Sequence, residues 1–87
     1  MKRESMLWVE INLQEYEHNF TPLHYSTNLP NNDITILLLN NNADPNIQDI
    51  YGNTSIHHSI MENNFEIFIM LIESSYTKNI TNLNLLQ

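Results

Sequence analysis

TPLHYSTNLPNNDITILLLNNNADPN at residues 21–46 and TSIHHSIMENNFEIFIMLIESSYTKN at residues 54–79 are two copies of one pattern. They align without a gap at an offset of 54 − 21 = 33 residues. The equivalent pairs are Thr21/Thr54, His24/His57, Ser26/Ser59, Asn31/Asn64, Asp33/Glu66, Ile34/Ile67, Leu38/Leu71 and Asn46/Asn79. A fixed period of this length predicts a stack of structural repeats. Such stacks present binding surfaces, so the period favours recognition over catalysis.

The composition of the 87-residue chain fits one small packed domain or a piece of one. Hydrophobic residues make up 41%, which argues against wholesale disorder. Three basic and ten acidic residues give a formal net charge of −7, which disfavours nucleic acid and suits a basic protein partner. A solvated acidic surface is the alternative meaning of this charge. The absence of cysteine excludes a disulfide framework, a thiolate zinc site and a thiol nucleophile.

The sequence does not fix the compartment. Its longest apolar stretch, residues 67–72, is far too short to span a bilayer, so we expect no membrane insertion. Near the N-terminus the apolar run is interrupted at once by Glu10, which leaves no usable signal-peptide core. We therefore leave the localisation unknown, between cytoplasmic and secreted by a signal-independent route.

Each copy predicts a pair of helices. Thr21 and Pro22 are typical of a helix start, and the first helix is expected to run to about Leu29, where Pro30 follows. A second helix is predicted from Asp33 to the asparagine run at residues 40–42. Its apolar residues occur on most sides, which predicts packing between neighbours.

The second copy predicts helices over residues 55–62 and 65–73. Residues 43–53 read as a connecting loop with turn residues, and the C-terminal LNLLQ falls where another such loop would lie. Gly52 and its counterpart Asn19 are residue types that tolerate a positive φ. Residues 1–18 fit the repeat poorly. There, alternation at Val9, Ile11 and Leu13 suggests a short strand, whereas Met6, Leu7 and Ile11 could form one face of a helical turn.

The predicted unit of helix, turn, helix and loop recurs every 33 residues, and its first copy begins with Thr-Pro-Leu-His. This pattern resembles the ankyrin repeat. The resemblance covers about residues 16–82 and implies an all-α helix-turn-helix solenoid with hairpin loops. It divides the chain into a degenerate N-terminal segment or partial repeat (1–18), repeat 1 (19–51), repeat 2 (52–84) and a C-terminal end (85–87). The departures are Ser26 and Ser59 for alanine, and Pro30, Asn63 and Asn42 for glycine. Tyr76 replaces the small alanine of the final loop, so that hairpin is expected to be poorly formed.

The resemblance also assigns residue roles. It implies a structural motif in which the histidine ties the loop to the helix start, formed by Thr21, Pro22, Leu23, His24, Gly52, Thr54, Ile56 and His57. Family members contact partners through the loop tips and the exposed side of the first helix. The partner-binding positions that this implies are Ile50, Tyr51, Asn53, Met61 and Glu62, with Glu17, His18, Phe20, Asn28 and Leu29 in the first repeat. The alternative is that their apolar members cover an incomplete core.

Three chemical readings of the same residues fail on the sequence. No cysteine and no histidine pair at i, i+4 supports a zinc site, so no metal, cofactor or catalytic residue is assigned. Ser26 and Ser59 stand at interior positions and lack the glycine-rich context of a hydrolase nucleophile. Aromatic residues such as Trp8 and Phe20 could stack on bases, but no lysine or arginine lies between residues 4 and 77.

We therefore interpret the chain as a non-catalytic protein–protein interaction module. The alternative is a fragment or remnant of a longer ankyrin array with no independent activity. Its asparagine and isoleucine content is typical of AT-rich genomes, including parasites, whose ankyrin-like proteins are often directed at host proteins. The partner is thus an unidentified protein, with a host protein as one candidate. Self-association through incompletely capped repeat ends is a further expectation, because two repeats are few for a stable stack.

Overall fold

The structure, a computed structural model, describes the backbone of residues 10–85 and the side chains of residues 10–77. Four helices lie wholly in this part of the chain: α1 (Pro22–Ser26), α2 (Asp33–Asn40), α3 (Ser55–Met61) and α4 (Phe65–Leu85). Glu10 and Ile11 are also helical. α1 packs against α2, α3 packs against α4, and α1 packs against α3. The prediction of an all-α stack of helix pairs is confirmed. No helix within these residues is both long and apolar enough to cross a membrane.

The first helix of each repeat, α1 or α3, begins directly after the predicted capping threonine. At α1 the Thr21 hydroxyl accepts the His24 N–H at 3.2 Å, and the Thr21 N–H donates to His24 Nδ1 at 2.9 Å. At α3 the Thr54 N–H donates to His57 Nδ1 at 3.0 Å. Since the first amides of a helix have no intrahelical acceptor, this reciprocal bonding fixes where each helix starts.

α1 is shorter than the sequence predicted. It ends at Ser26 instead of about Leu29, and six residues then connect it to α2. In repeat 2 only three residues connect α3 to α4, and Asn63 makes that turn at φ +57°. The equivalent position in repeat 1 is Pro30, whose ring excludes a positive φ and disfavours helix at Leu29. Proline therefore lengthens the first connection.

The expectation that α2 is packed between neighbours on most sides is wrong. Thr35 is fully buried and Leu38 and Leu39 are half-buried, but Ile34, Ile36 and Leu37 are exposed. The reason is that α1 packs against one side of α2, whereas the side of α2 that carries Ile34, Ile36 and Leu37 faces solvent. The apolar richness of α2 is thus a property of the surface as well as of the core.

α4 continues through the predicted C-terminal loop. It was expected to end at about residue 73, yet it runs to Leu85. In repeat 1 the chain leaves α2 through Asn42 at φ +70°, and Pro45 follows. Ser75 and Lys78 occupy the equivalent positions in repeat 2, and neither favours a left-handed turn or removes a backbone donor. Nothing at these positions stops the helix, so no second hairpin forms within the described residues.

The two predicted positive-φ positions at the starts of the repeats are confirmed. Asn19 has φ +60° and Gly52 has φ +82°. Each is followed two residues later by the threonine that caps an inner helix. An L-residue other than asparagine or aspartate would be strained here.

The apolar core is small, and polar contacts extend it. Leu23, Ala43, Ile67 and Leu71 form its fully buried centre. Nine polar or charged side chains are buried beside it: Asn12, Thr21, His24, Ser26, Thr27, Thr35, Asp49, Ser55 and Ser59. Among the described residues every buried side-chain nitrogen and oxygen has a hydrogen-bond partner. These hydrogen bonds compensate for the loss of contact with water on burial.

Amide side chains join segments one period apart. Asn32 Nδ2 donates to Glu66 Oε1 at 2.6 Å, and Asn64 Nδ2 donates to Asn32 Oδ1 at 3.2 Å. Ser75 Oγ donates to Asn46 Oδ1 at 2.7 Å. Side-chain hydrogen bonds between the repeats therefore stabilise the stack in addition to its apolar core.

The segment before repeat 1 lies beside the loop at residues 43–53, which connects the two repeats. The Asp44 N–H donates to Asn12 Oδ1 and Gln14 Nε2 donates to the Gln48 carbonyl, each at 2.7 Å. Ile11 is helical and residues 10–85 contain no strand, so the strand alternative is wrong where this segment is described. Val9 and the residues before it lie outside the described part. The assignment of residues 1–18 to a partial repeat stays a prediction.

Candidate functional site

His24 links the two repeats. Its Nδ1 accepts the Thr21 N–H, so Nε2 carries the proton and donates to the Asn53 carbonyl at 2.9 Å. The ring is only 2% exposed, and burial lowers the pKa of His24 below its usual value, which keeps the ring neutral. The motif histidine of repeat 1 therefore bonds both its own helix start and the loop of repeat 2.

Asp49 organises the tip of that loop. Its Oδ1 accepts the Tyr51 and Asn53 N–H groups, both at 2.9 Å, and its Oδ2 accepts from His58 Nε2 at 2.9 Å. Burial raises the pKa of Asp49, but the His58 bond and the two backbone N–H bonds outweigh it, and the net pKa is lowered. The carboxylate thus stays ionised and holds the hairpin in one shape.

His24, Asp49 and His58 are also the described residues with the donor types of a metal centre. One ligand atom from each lies within 4.8 Å of the others. These atoms already have protein partners, because His24 Nε2 donates to Asn53 and His58 Nε2 donates to Asp49. A metal would have to displace both of these hydrogen bonds, which join the two repeats and hold the loop. The donor set fits a structural hydrogen-bond network better than a metal site.

An aromatic cluster covers this network. Phe20 stacks on His18 at a centroid distance of 5.1 Å and meets the edges of Tyr25 at 5.3 Å and His58 at 5.4 Å. Tyr51 stacks on the other side of His18 at 6.2 Å. These distances are those of favourable aromatic pairs. Rings from both repeats and their loops thus form one continuous surface over α1 and α3.

Eight of the ten predicted partner-binding residues fall into two groups. Ile50, Tyr51 and Met61 are exposed, with Tyr51 68% exposed at the loop tip, and Glu17 is exposed beside them. A cavity of about 330 Å³ between α1 and α3 is lined by the other group: Phe20, Asn28, Leu29 and Glu62, together with His24, Tyr25 and His58.

Two predicted partner-binding residues also contribute to the scaffold. Asn53 is half-buried, its backbone N–H donates to Asp49 Oδ1, and its carbonyl accepts from His24 Nε2. His18 is half-buried between Phe20 and Tyr51.

Sequence reasoning missed Tyr25, His58 and Glu15 as part of this surface. Tyr25 precedes Asn28 and Leu29 by three and four residues, the spacing that places side chains on one helix face. His58 is Tyr25 displaced by the repeat period, 25 + 33 = 58, so the offset could have identified it. Glu15 accepts from the Tyr25 hydroxyl at 2.9 Å across ten residues, a contact with no signal in the sequence.

The two interior serines have no role at the site. Ser26 is buried and its hydroxyl lies 2.7 Å from Thr35 Oγ1, while Ser59 is fully buried and donates to the Ile56 carbonyl at 2.7 Å. Both hydroxyls are satisfied inside the helix pairs and neither lines the cavity between α1 and α3. They fill the space that alanine occupies in the family pattern.

Comparison with known proteins agrees with this architecture. A family model described as ankyrin repeats (3 copies) matches residues 4–82. A putative ankyrin repeat protein of Acanthamoeba polyphaga mimivirus is 40% identical over 57 residues, which cover 66% of this chain and 8% of that protein. The chain thus spans only a small part of the relative's length. The repeat period, the paired helices and the family match together show that this chain belongs to the ankyrin repeat family.

Proposed function

We propose that the chain is a non-catalytic protein-binding module that contacts its partner through the loop tip and the exposed side of α1 and α3. Ankyrin repeats are in general protein–protein interaction modules and not enzymes. The observation that supports this site most directly is the continuous aromatic surface to which repeat 1 contributes Phe20 and Tyr25 and repeat 2 contributes His58. Aromatic side chains are frequent anchors of protein interfaces. We call this surface the inner face, defined by Ile50, Tyr51, Met61, Tyr25, Leu29, Phe20 and Glu62.

Charge supports a basic partner. Residues 10–77 contain nine aspartates and glutamates and no lysine or arginine. Complementary charge accelerates encounter and suppresses wrong partners. The partner is proposed to be a basic protein, with a host protein as one source, an analogy drawn from the asparagine-rich and isoleucine-rich composition.

The test is a selection of peptides from an unbiased display library on the full chain. Peptides that bind the inner face should lose binding with Tyr51→Ala and Met61→Ser, because both side chains are exposed on it. They should keep binding with Ile36→Ser, which alters an exposed apolar residue of α2 instead. Failure to select any peptide, or peptides insensitive to Tyr51→Ala and Met61→Ser, would argue against the proposed surface.

A second candidate function, as a stacking unit of a longer array, has one observation in its favour. Thr27 is 1% exposed, whereas Ile60, its equivalent in repeat 2, is 55% exposed. The face that repeat 2 covers on repeat 1 is thus open and more apolar on repeat 2. A thermal melt followed by circular dichroism separates the candidates. A cooperative helical transition supports the independent module, and a weak, gradual one supports the stacking unit.

A further inference from the structure

We infer that the cavity between α1 and α3 is a receptor for an arginine side chain of the partner. This inference rests on the proposed function and specifies what the inner face recognises. The cavity, called the arginine pocket below, is lined by Phe20, His24, Tyr25, Asn28, Leu29, His58 and Glu62.

The size and the walls of the arginine pocket suit a long, flat side chain. Its volume is about 330 Å³, enough for one arginine with its aliphatic stem. Phe20 and Tyr25 stand nearly at right angles, at an interplanar angle of 84°, and Leu29 adds an aliphatic wall. A cation is attracted to an aromatic face when it lies within about 6 Å of the ring centre, and a guanidinium can also stack on it.

The Tyr25 ring is held in place by a charged anchor. Its hydroxyl donates to Glu15 Oε2 at 2.9 Å. The His18 backbone N–H, and then the Tyr25 hydroxyl, hold the pKa of Glu15 below its usual value, so this carboxylate is ionised at neutral pH. Ionised Glu15 therefore orients the ring and adds negative potential behind it.

Glu62 supplies the free carboxylate of the pocket. It is exposed at the end of α3, and its carboxylate has no donor among residues 10–77. The two other carboxylates near the pocket already have partners, because Asp49 accepts from His58 and Glu15 accepts from Tyr25. A carboxylate that has no donor among the described residues, in a cavity also lined by two aromatic rings, matches the forked donors of a guanidinium, which binds carboxylates in bidentate fashion.

The floor of the pocket carries no competing charge from His24. This ring is neutral because burial lowers the His24 pKa, and its Nε2–H is directed at Asn53. A cation that enters therefore meets the Glu62 carboxylate, the Asn28 amide and aromatic rings. Arginine is favoured over lysine because its planar group can stack and form two parallel hydrogen bonds at once, whereas an ammonium is a strongly hydrated point charge.

The experiment titrates the isotope-labelled full chain with three pentapeptides, Gly-Gly-X-Gly-Gly with blocked ends and X as arginine, lysine or leucine. Chemical shifts of backbone amides are followed at 0.15 M salt, where long-range charge effects are screened. The arginine peptide should shift Phe20, Tyr25 and Glu62 selectively. Glu62→Gln should weaken this binding by about threefold to fivefold, the range expected for a partly exposed ion pair.

A matched control removes the effect of net charge. Glu73→Gln also removes one exposed carboxylate, but Glu73 lines the cleft between α2 and α4, so the arginine peptide should bind this variant unchanged. Tyr25→Leu keeps an apolar wall but removes the π face, and should weaken binding by about threefold. Circular dichroism of each variant verifies that the fold is retained.

Three results would overturn the inference. Equal weakening by Glu62→Gln and Glu73→Gln would show that the peptide senses only net charge. Equal binding of the leucine peptide would show an apolar groove, and equal binding of the lysine peptide would remove the preference for arginine. Each of these leaves the proposed function standing, because the peptide selection with Tyr51→Ala and Met61→Ser tests that function without reference to arginine.

Discussion

His24 and His57 occupy the same position of the repeated motif, yet their surroundings differ. Both accept a backbone N–H from the capping threonine, at 2.9 Å from Thr21 and 3.0 Å from Thr54. Only His24 is buried, and only His24 among the two donates its second ring N–H to the loop of a following repeat, at Asn53. The motif histidine therefore makes two kinds of hydrogen bond. The bond to its own threonine forms in each repeat, and the bond from Nε2 forms only where another repeat follows.

The second helices of the two repeats show the same division. α2 stops at Asn40 and the chain turns back, whereas α4 continues to Leu85. The turn at Asn42 requires a positive φ, and Pro45 then prevents further helix. The second helix of repeat 1 thus has a stop signal, and the second helix of repeat 2 has none within the described residues.

Removing each motif histidine is expected to have the largest effect and the clearest asymmetry. His24→Ala leaves the buried Thr21 N–H without its acceptor, empties the space of a buried ring and removes one of the two donors to the Asn53 carbonyl, which should together lower the free energy of unfolding by about 3 kcal/mol. His57→Ala removes only the local cap and should cost about 1 kcal/mol. Urea unfolding followed by circular dichroism, in trimethylamine oxide if needed to retain a folded baseline, measures both.

The contradictory outcome is an equal loss for the two variants. It would mean that the Nε2 bond from His24 to Asn53 contributes nothing to stability, and that the motif acts only within its own repeat. His57→Ala is the matched control, because it makes the same chemical change at the exposed copy.

Sequence reasoning recovered the local part of the fold. Two residue types with distinctive backbone behaviour indicated their own positions: Pro22, whose φ is fixed, lies at a helix start, and Gly52, which tolerates a positive φ, has one. Sequence reasoning did not predict the features that depend on packing or on a missing signal. α4 is long because no residue stops it, and Ile36 and Leu37 are exposed because no helix packs on their side of α2.

The candidate site divides in the same way. The exposed loop tip at Tyr51 could be inferred from the family pattern, since loop tips lie at the surface. The meeting of Glu15 with Tyr25 and of Asp49 with His58 could not, because these contacts join turns and helices whose relative placement is set by packing. Whether the predicted positions bind a partner stays a prediction.

A smaller effect tests the contrast between the two helix ends. Asn42→Gly should be neutral or stabilise by a few tenths of a kcal/mol, about as expected where glycine replaces an L-residue at φ +70°. Ser75→Gly, at the equivalent position, should cost about 1 kcal/mol, because glycine is unfavourable inside a helix. The loss of the bond from Ser75 to Asn46 adds to that cost.

Urea midpoints of these two glycine variants give the comparison directly. Ser75→Ala serves as a control for the hydroxyl, since it removes the bond to Asn46 but retains a strong helix former. If Asn42→Gly and Ser75→Gly changed stability by the same amount and in the same direction, the two equivalent positions would not differ in conformation, and the explanation for the long α4 would be wrong.

The smallest effect concerns pH and again separates His24 from His57. The pKa of His24 is lowered mainly by burial, with a further lowering by His58 opposed by the Asn53 bond and by Asp49. The unfolded chain therefore binds this proton more tightly than the folded chain. Stability is full above the unfolded histidine pKa of about 6.5 and falls as the pH drops from there toward the lower folded pKa.

We therefore expect the urea midpoint to stay nearly constant from pH 7.5 to about pH 6.5 and to decrease from there to pH 5.5. Asp49 does not confound this window, because its pKa is lowered and its stabilisation is lost only below the ordinary aspartate pKa of 3.8. His57→Gln should preserve the decrease, since His57 is the exposed copy, whereas His24→Gln should flatten it because the buried titrating ring is gone. A slope that survives His24→Gln would assign the pH dependence to another group and would remove burial of His24 as the physical difference between the two motif histidines.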